Sequence, residues 1–241
     1  LQASAATLSL EATGGVIQAV TVAEDGGDSR RVEAADLIGV SVTGVGLNGG
    51  DNGIQVFAGA TAPATGQRAA LVEDLDLGTG FYNMLAGNEF TFDEALTNGD
   101  GAELIIVDNF GTSFDITHLD GVALSTPVSF TRNDHDLDLD VARTLSTHGL
   151  EASTPTITTL QALENGKFTR GGSLGPQNVD GLAIDLTDLG VAAGASIQSV
   201  TIDGKNGLDL LYIGGLPVPE PGTAVLLGVG GLVCMRRRRG V

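Results

Sequence analysis

Short runs in which apolar and polar residues alternate with a period of two recur along most of the chain, separated by clusters of Gly, Asn, Asp and Ser. Alternation of this kind puts one face of an extended segment toward a core and the other toward water, which is the pattern of half-buried β-strands. It predicts strands over 7–10, 16–22, 37–42, 54–57, 89–92, 103–107, 113–118, 122–132, 137–141, 156–160, 181–186, 196–202 and 208–213. No stretch keeps a capped helical period for three turns, although 158–165 or 187–193 has room for a single helical turn. Strands at roughly 8–12-residue spacing with turn signals between them predict an all-β chain built as a single β-sandwich, jelly-roll-like. Seven of the ten aromatic residues fall between Phe81 and Phe130, which centres the expected core there.

The pattern changes only near the C-terminus. Pro217 and Val218 lead into Pro219, Glu220 and Pro221; an uninterrupted apolar segment occupies 222–235, and Arg236, Arg237, Arg238 and Arg239 follow. As a helix the 14 apolar residues would span ~21 Å, short of the ~30 Å hydrocarbon core of a bilayer. Such a segment holds a membrane only transiently, and the arginine run should stay on the cytoplasmic side, leaving the body on the other. The expected organisation is a signal-peptide remnant at 1–6, a β-sandwich body at 7–214, a linker with the proline motif at 215–221, and a hydrophobic helix with a basic tail at 222–241. The remnant rests on Ala3-Ser4-Ala5, a small-x-small pattern like that of a signal-peptidase site. A break near 62–80 is the alternative division, because Ala62-Pro63-Ala64-Thr65-Gly66 is the best linker within the body.

The order of Pro219-Glu220-Pro221, apolar segment and arginine run resembles the PEP-CTERM sorting signal of Gram-negative bacteria. The resemblance covers about a tenth of the chain. It implies recognition by an exosortase, a membrane cysteine protease-transpeptidase that would remove the tail near the motif, with the inner membrane a transient partner of 222–235 and the cell surface or extracellular matrix the destination. The segments at 101–107 and 181–190 are similar to body segments that accompany this signal in surface proteins, which implies a β-sandwich without established enzymatic activity.

Charge narrows the partners of the body. Over residues 1–218 there are 8 Lys and Arg against 29 Asp and Glu, a net −21. A surface this acidic repels phosphate backbones and anionic lipid, so binding to nucleic acid is excluded. One cysteine, Cys234, excludes a disulfide framework or a thiolate metal cluster.

Candidate chemistry is sparse. Gly44-Val45-Gly46-Leu47-Asn48-Gly49 matches the spacing of a dinucleotide-binding loop, but another strand follows where the fingerprint needs a helix N-terminus for the pyrophosphate. Gly39-Val40-Ser41-Val42-Thr43 fails the nucleophile-elbow pattern at its last position, and no histidine pair has zinc-ligand spacing. The densest polar stretch is Asn133-Asp134-His135-Asp136-Leu137-Asp138-Leu139-Asp140. On a strand its alternate aspartates share a face, and a hard cation would relieve their repulsion, which makes Asp134, Asp136 and Asp138 candidate calcium ligands. The competing expectation is a solvated face with Leu137 and Leu139 inward, since alternate strand positions lie ~7 Å apart, too far for all the carboxylates to reach one ion.

The function expected from these features is that of an exported, non-enzymatic surface or matrix protein, acting by presence or by binding carbohydrate such as exopolysaccharide, with calcium at the aspartates the one cofactor candidate. Two alternatives stand beside it: a secreted hydrolase using His135 and nearby acids, and a structural subunit that self-associates through sheet edges.

Overall fold

The computed structural model describes residues 6–23, 29–44, 55–58, 75, 77, 80–82, 87–109, 112–136, 139, 143–150, 168–177, 179–205 and 208–218. Its strands in chain order are β1 (Thr7–Thr13), β2 (Val16–Ala23), β3 (Ser29–Glu33), β4 (Val40–Gly44), β5 (Gln55–Ala58), β6 (Gly80–Tyr82), β7 (Asn88–Thr97) and β8 (Leu104–Asn109). They continue as β9 (Phe114–Leu119), β10 (Val122–Phe130), β11 (Arg143–Leu150), β12 (Phe168–Gln177), β13 (Val179–Ile184), β14 (Ser196–Gly204) and β15 (Leu210–Gly215). The protein is all-β, as the alternation predicts, and among the described residues every strand pairing is antiparallel. Four sheets result, with strand orders β1-β2-β3, β10-β9-β14-β7-β4, β12-β11-β5-β6 and β13-β8-β15.

Three of these sheets are stacked, with β13-β8-β15 in the middle. Leu104 and Ile106 of β8, Leu182 and Ile184 of β13 and Ile213 of β15 pack into one apolar cluster with Phe90, Phe92, Phe114 and Phe130 of the five-stranded sheet. The alternate residues Ile105, Val107, Ala183, Leu211 and Tyr212 pack into a second cluster with Leu8, Ile17, Val20 and Val22 of β1 and β2. A strand covered on both faces has no solvent side to mark with polar residues, which is why β8 and β15 read as near-continuous apolar runs. Where two layers are expected from a sandwich, the sequence builds three.

Turn chemistry fixes the register. The β1–β2 hairpin closes on Gly14 and Gly15 and the β9–β10 hairpin on Asp120 and Gly121, all at positive φ, as two-residue hairpin loops demand. Asp120 Oδ1 then accepts hydrogen bonds from the backbone N–H groups of Gln198 (2.6 Å) and Ser199 (2.9 Å), pinning the turn to β14 beside that strand's bulge.

Several elements differ from expectation. β3, with the sequence SRRVE, buries only Val32 and carries too little apolar signal to be found. The strand expected at 122–132 stops at Phe130, because Thr131 caps a 3-10 turn at Arg132–Asp134 through its N–H (2.7 Å) and hydroxyl (2.8 Å), both donated to Asp134 Oδ2. The single helical turn expected at 187–193 is a 3-10 turn at Leu186–Leu189, capped by the Asp185 carboxylate and closed by Gly190 in the left-handed region. Of the strand expected at 137–141 only Leu139 is described; its N–H bonds the Val179 carbonyl, outside any named strand. The strand at 156–160, the helical turn at 158–165, much of the alternative boundary near 62–80, and the helix at 222–235 lie outside the described residues. Among the described residues no helix is long and apolar enough to cross a membrane.

Candidate functional site

The C-terminal stretch leaves the body from its middle layer. β15 pairs with β8 on one side, and Ile38 and Gly215 exchange a pair of 2.9 Å backbone hydrogen bonds on the other. Two glycines permit this close packing: the Tyr212 ring fills the space a side chain at Gly214 would take, and Gly215 lies against Leu96 and Ile38. Leu216 is buried, and its N–H bonds the Glu103 carbonyl at 2.7 Å. The Pro217 carbonyl then accepts a 2.7 Å hydrogen bond from Arg30 Nη1, while Arg30 Nη2 bonds the Ala102 carbonyl at 2.5 Å. Close by, burial raises the Glu103 carboxyl above its usual range, countered by hydrogen bonds from the N–H groups of Leu186 and Gly99. The packed body thus continues through Leu216. The motif residues Pro219, Glu220 and Pro221, the apolar segment and Arg236, Arg237, Arg238 and Arg239 lie outside the described residues.

His135 sits where the 3-10 turn after β10 meets β8. Its side chain is fully buried, with the ring edge-on to Phe114 at 6.1 Å. Nδ1 lies 2.8 Å from the Thr131 carbonyl, which can only accept, so Nδ1 carries a proton. Nε2 faces Asp108 Oδ1 at 3.7 Å, both atoms buried and, among the described residues, without a hydrogen-bond partner, so the pair is costly to keep away from water. Asp108 Oδ2 is held by the Thr112 N–H (2.6 Å) and hydroxyl (2.8 Å), and Asp180, also buried, lies directly opposite Asp108 on β13. Burial pushes the Asp108 carboxyl up to about 6; His135 and Thr112 pull against this and Asp180 adds to it.

Asp108 and Asp180 escape a reading based on motifs. The available signal is their position, each beside a run of apolar residues with no alternation, where a polar side chain cannot reach water.

Of the aspartates singled out as calcium candidates, Asp134 and Asp136 do not share a strand. Asp134 ends the 3-10 turn with Oδ2 taken by Thr131, whereas Asp136 makes an isolated bridge to Gly181 and accepts the Leu8 N–H. Asp134 thus fastens its own turn, and Asp136 ties the segment after it to β1 and β13. Asp138 lies outside the described residues. Among the described residues no group of three or more His, Cys, Asp and Glu side chains is arranged to hold a metal ion.

An open groove of about 740 Å³ runs along the flank of the edge strand β10 toward the Leu186–Leu189 turn. Ser125, Thr126 and Asp188 give it a polar lining, and Leu124, Val128 and Phe130 an apolar one.

The β-rich body is followed, beyond the tightly held strand β15, by a sorting signal. The signal is a PEP-CTERM protein-sorting motif, whose family model matches residues 217–239. Such a motif implies processing by an exosortase and is consistent with an exported protein sorted to the cell surface. No curated protein and no solved structure matches the chain.

Proposed function

We propose that this is a non-enzymatic component of the cell surface or extracellular matrix, held briefly in the inner membrane by residues 222–235 until an exosortase removes the tail and frees the body. The observation that carries the reading is the sorting motif at 217–239, which begins where the packed body ends. The buried His135 supports a body without catalysis, since a general base must reach the proton it abstracts and both ring nitrogens here face the interior. Carbohydrate, such as exopolysaccharide, is the ligand class that suits the groove along β10, where hydroxyl and carboxylate groups alternate with apolar side chains.

The test is the intact mass of the protein recovered from cell surface and medium, with and without the exosortase. Loss of the tail near Pro219, Glu220 and Pro221 that depends on the enzyme is expected. A tail retained in its presence would make 222–235 a lasting anchor and refute the reading.

A further inference from the structure

Arg30 occupies an unusual place for an arginine. On β3 it shares the inner face with the buried Val32, while Ser29, Arg31 and Glu33 face solvent. A guanidinium turned toward the core requires acceptors, and two of this one's are backbone carbonyls, Ala102 at the entry to β8 and Pro217 just ahead of Pro219-Glu220-Pro221. Proline has no N–H, so the carbonyl is the only backbone group through which Pro217 can be tied to the body. Among the described residues this is the last hydrogen bond from the body to the chain before the motif.

The consequence is one of reach. Five residue steps separate Pro217 from Gly222, where the apolar segment starts, and a fully extended chain covers roughly 17 Å in that distance. Within that length the motif must enter a membrane enzyme while a folded body stands on one side and the bilayer on the other. Extended-peptide recognition takes up several residues on each side of the bond attacked, and the clamp leaves Val218 alone between itself and Pro219. Releasing Pro217 adds one residue step, roughly 3.5 Å, of usable chain without disturbing β15 or the Leu216 hydrogen bond.

We propose that Arg30 is a positioning residue that restrains the chain ahead of the motif, so that its release precedes capture by the exosortase and the folded body slows its own processing. This rests on the sorting reading above. The test follows tail loss over time by mass, after pulse labelling of the full chain in exosortase-bearing cells. The variants are Arg30→Ala, Arg30→Lys, a four-residue Gly-Ser insertion between Val218 and Pro219, and the insertion combined with Arg30→Ala.

Arg30→Ala is expected to speed tail loss about five-fold, the effect of removing one net hydrogen bond from an opening step. Arg30→Lys falls in between, because an ammonium lacks the fork that spans both carbonyls. The insertion supplies slack directly and should speed processing to the same degree, and adding Arg30→Ala to it should give no further gain. A residue that only stabilised the fold would show no such non-additivity. Wild-type processing with an unchanged or slower rate in Arg30→Ala, or independent effects in the combined variant, would overturn the proposal. Should Arg30→Ala fail to accumulate, an insertion that leaves the rate unchanged overturns it alone. Absence of tail loss in the wild type is the distinct failure of the sorting reading itself.

Discussion

Replacing Asp108 with asparagine should remove a pH-dependent weakness from the middle of the structure. In the folded protein the Asp108 carboxyl is pushed from 3.8 up to about 6, first by burial. A raised carboxyl pKa means that between about pH 4 and pH 6 the folded state keeps a proton that the unfolded chain has released, so stability falls as pH rises through that window and then levels off. A shift of about 2 units at 1.36 kcal/mol each corresponds to about 3 kcal/mol. The carboxamide of the Asp108→Asn variant would keep an oxygen for the Thr112 N–H and hydroxyl and turn an N–H toward His135 Nε2, filling the 3.7 Å gap with a donor that needs no ionisation. Thermal unfolding followed by circular dichroism from pH 4 to pH 7.5 should show wild type and Asp108→Asn converging at the acid end. At neutral pH the variant should be ahead by roughly 5–10 °C, given the few degrees per kcal/mol expected for a chain of this size. Glu103 and Asp136, also raised by burial, add slopes of the same sign to both proteins, so the difference between the curves reports Asp108 together with the groups that interact with it, His135 and Asp180. A pH-independent difference, or a variant less stable than wild type at pH 7, would refute the reasoning.

Other expectations follow from the same packing. His135→Ala removes one partner of the buried pair and the ring against Phe114, and should cost about 3–5 kcal/mol in urea denaturation; a loss below about 1 kcal/mol would mean the pair contributes little. Gly181→Ala places a methyl group 2.6 Å from Leu8 Cδ2 and 2.9 Å from Leu139 Cδ1, so about 1–3 kcal/mol should be lost as β1 and β13 move apart, and an unchanged melting temperature would show that the leucines yield freely. Millimolar calcium should leave the melting temperature unchanged, because Asp134 and Asp136 are already engaged by Thr131 and Leu8; an upward shift would restore the aspartates as ligands.

Much of the strand content was legible in the sequence because period-two burial is a local signal. β1, β2, β9 and β14 each bury alternate apolar residues, and their expected and observed spans overlap closely. β3 was invisible for the converse reason: its one buried apolar residue is Val32, and Arg30, the residue of most consequence on it, owes its inner position to carbonyls more than 70 residues away. His135 drew notice for its acidic neighbours, yet Asp134 and Asp136 turn to Thr131 and Leu8, and its partner is Asp108. Adjacent residues in an irregular segment point in different directions, so neighbours in sequence say little about neighbours in space.

By itself, then, the sequence determined what short-range order can encode: an all-β chain, an acidic body, and a proline motif, apolar segment and arginine run in the order of a sorting signal. Only the tertiary structure decided that β13-β8-β15 forms a covered middle layer, that Asp108 and Asp180 face each other away from water, and that Arg30 reaches the chain just ahead of the motif. Each of these depends on which strands lie side by side. Antiparallel pairing between distant segments is chosen by the fit of whole faces, and no local pattern carries that information.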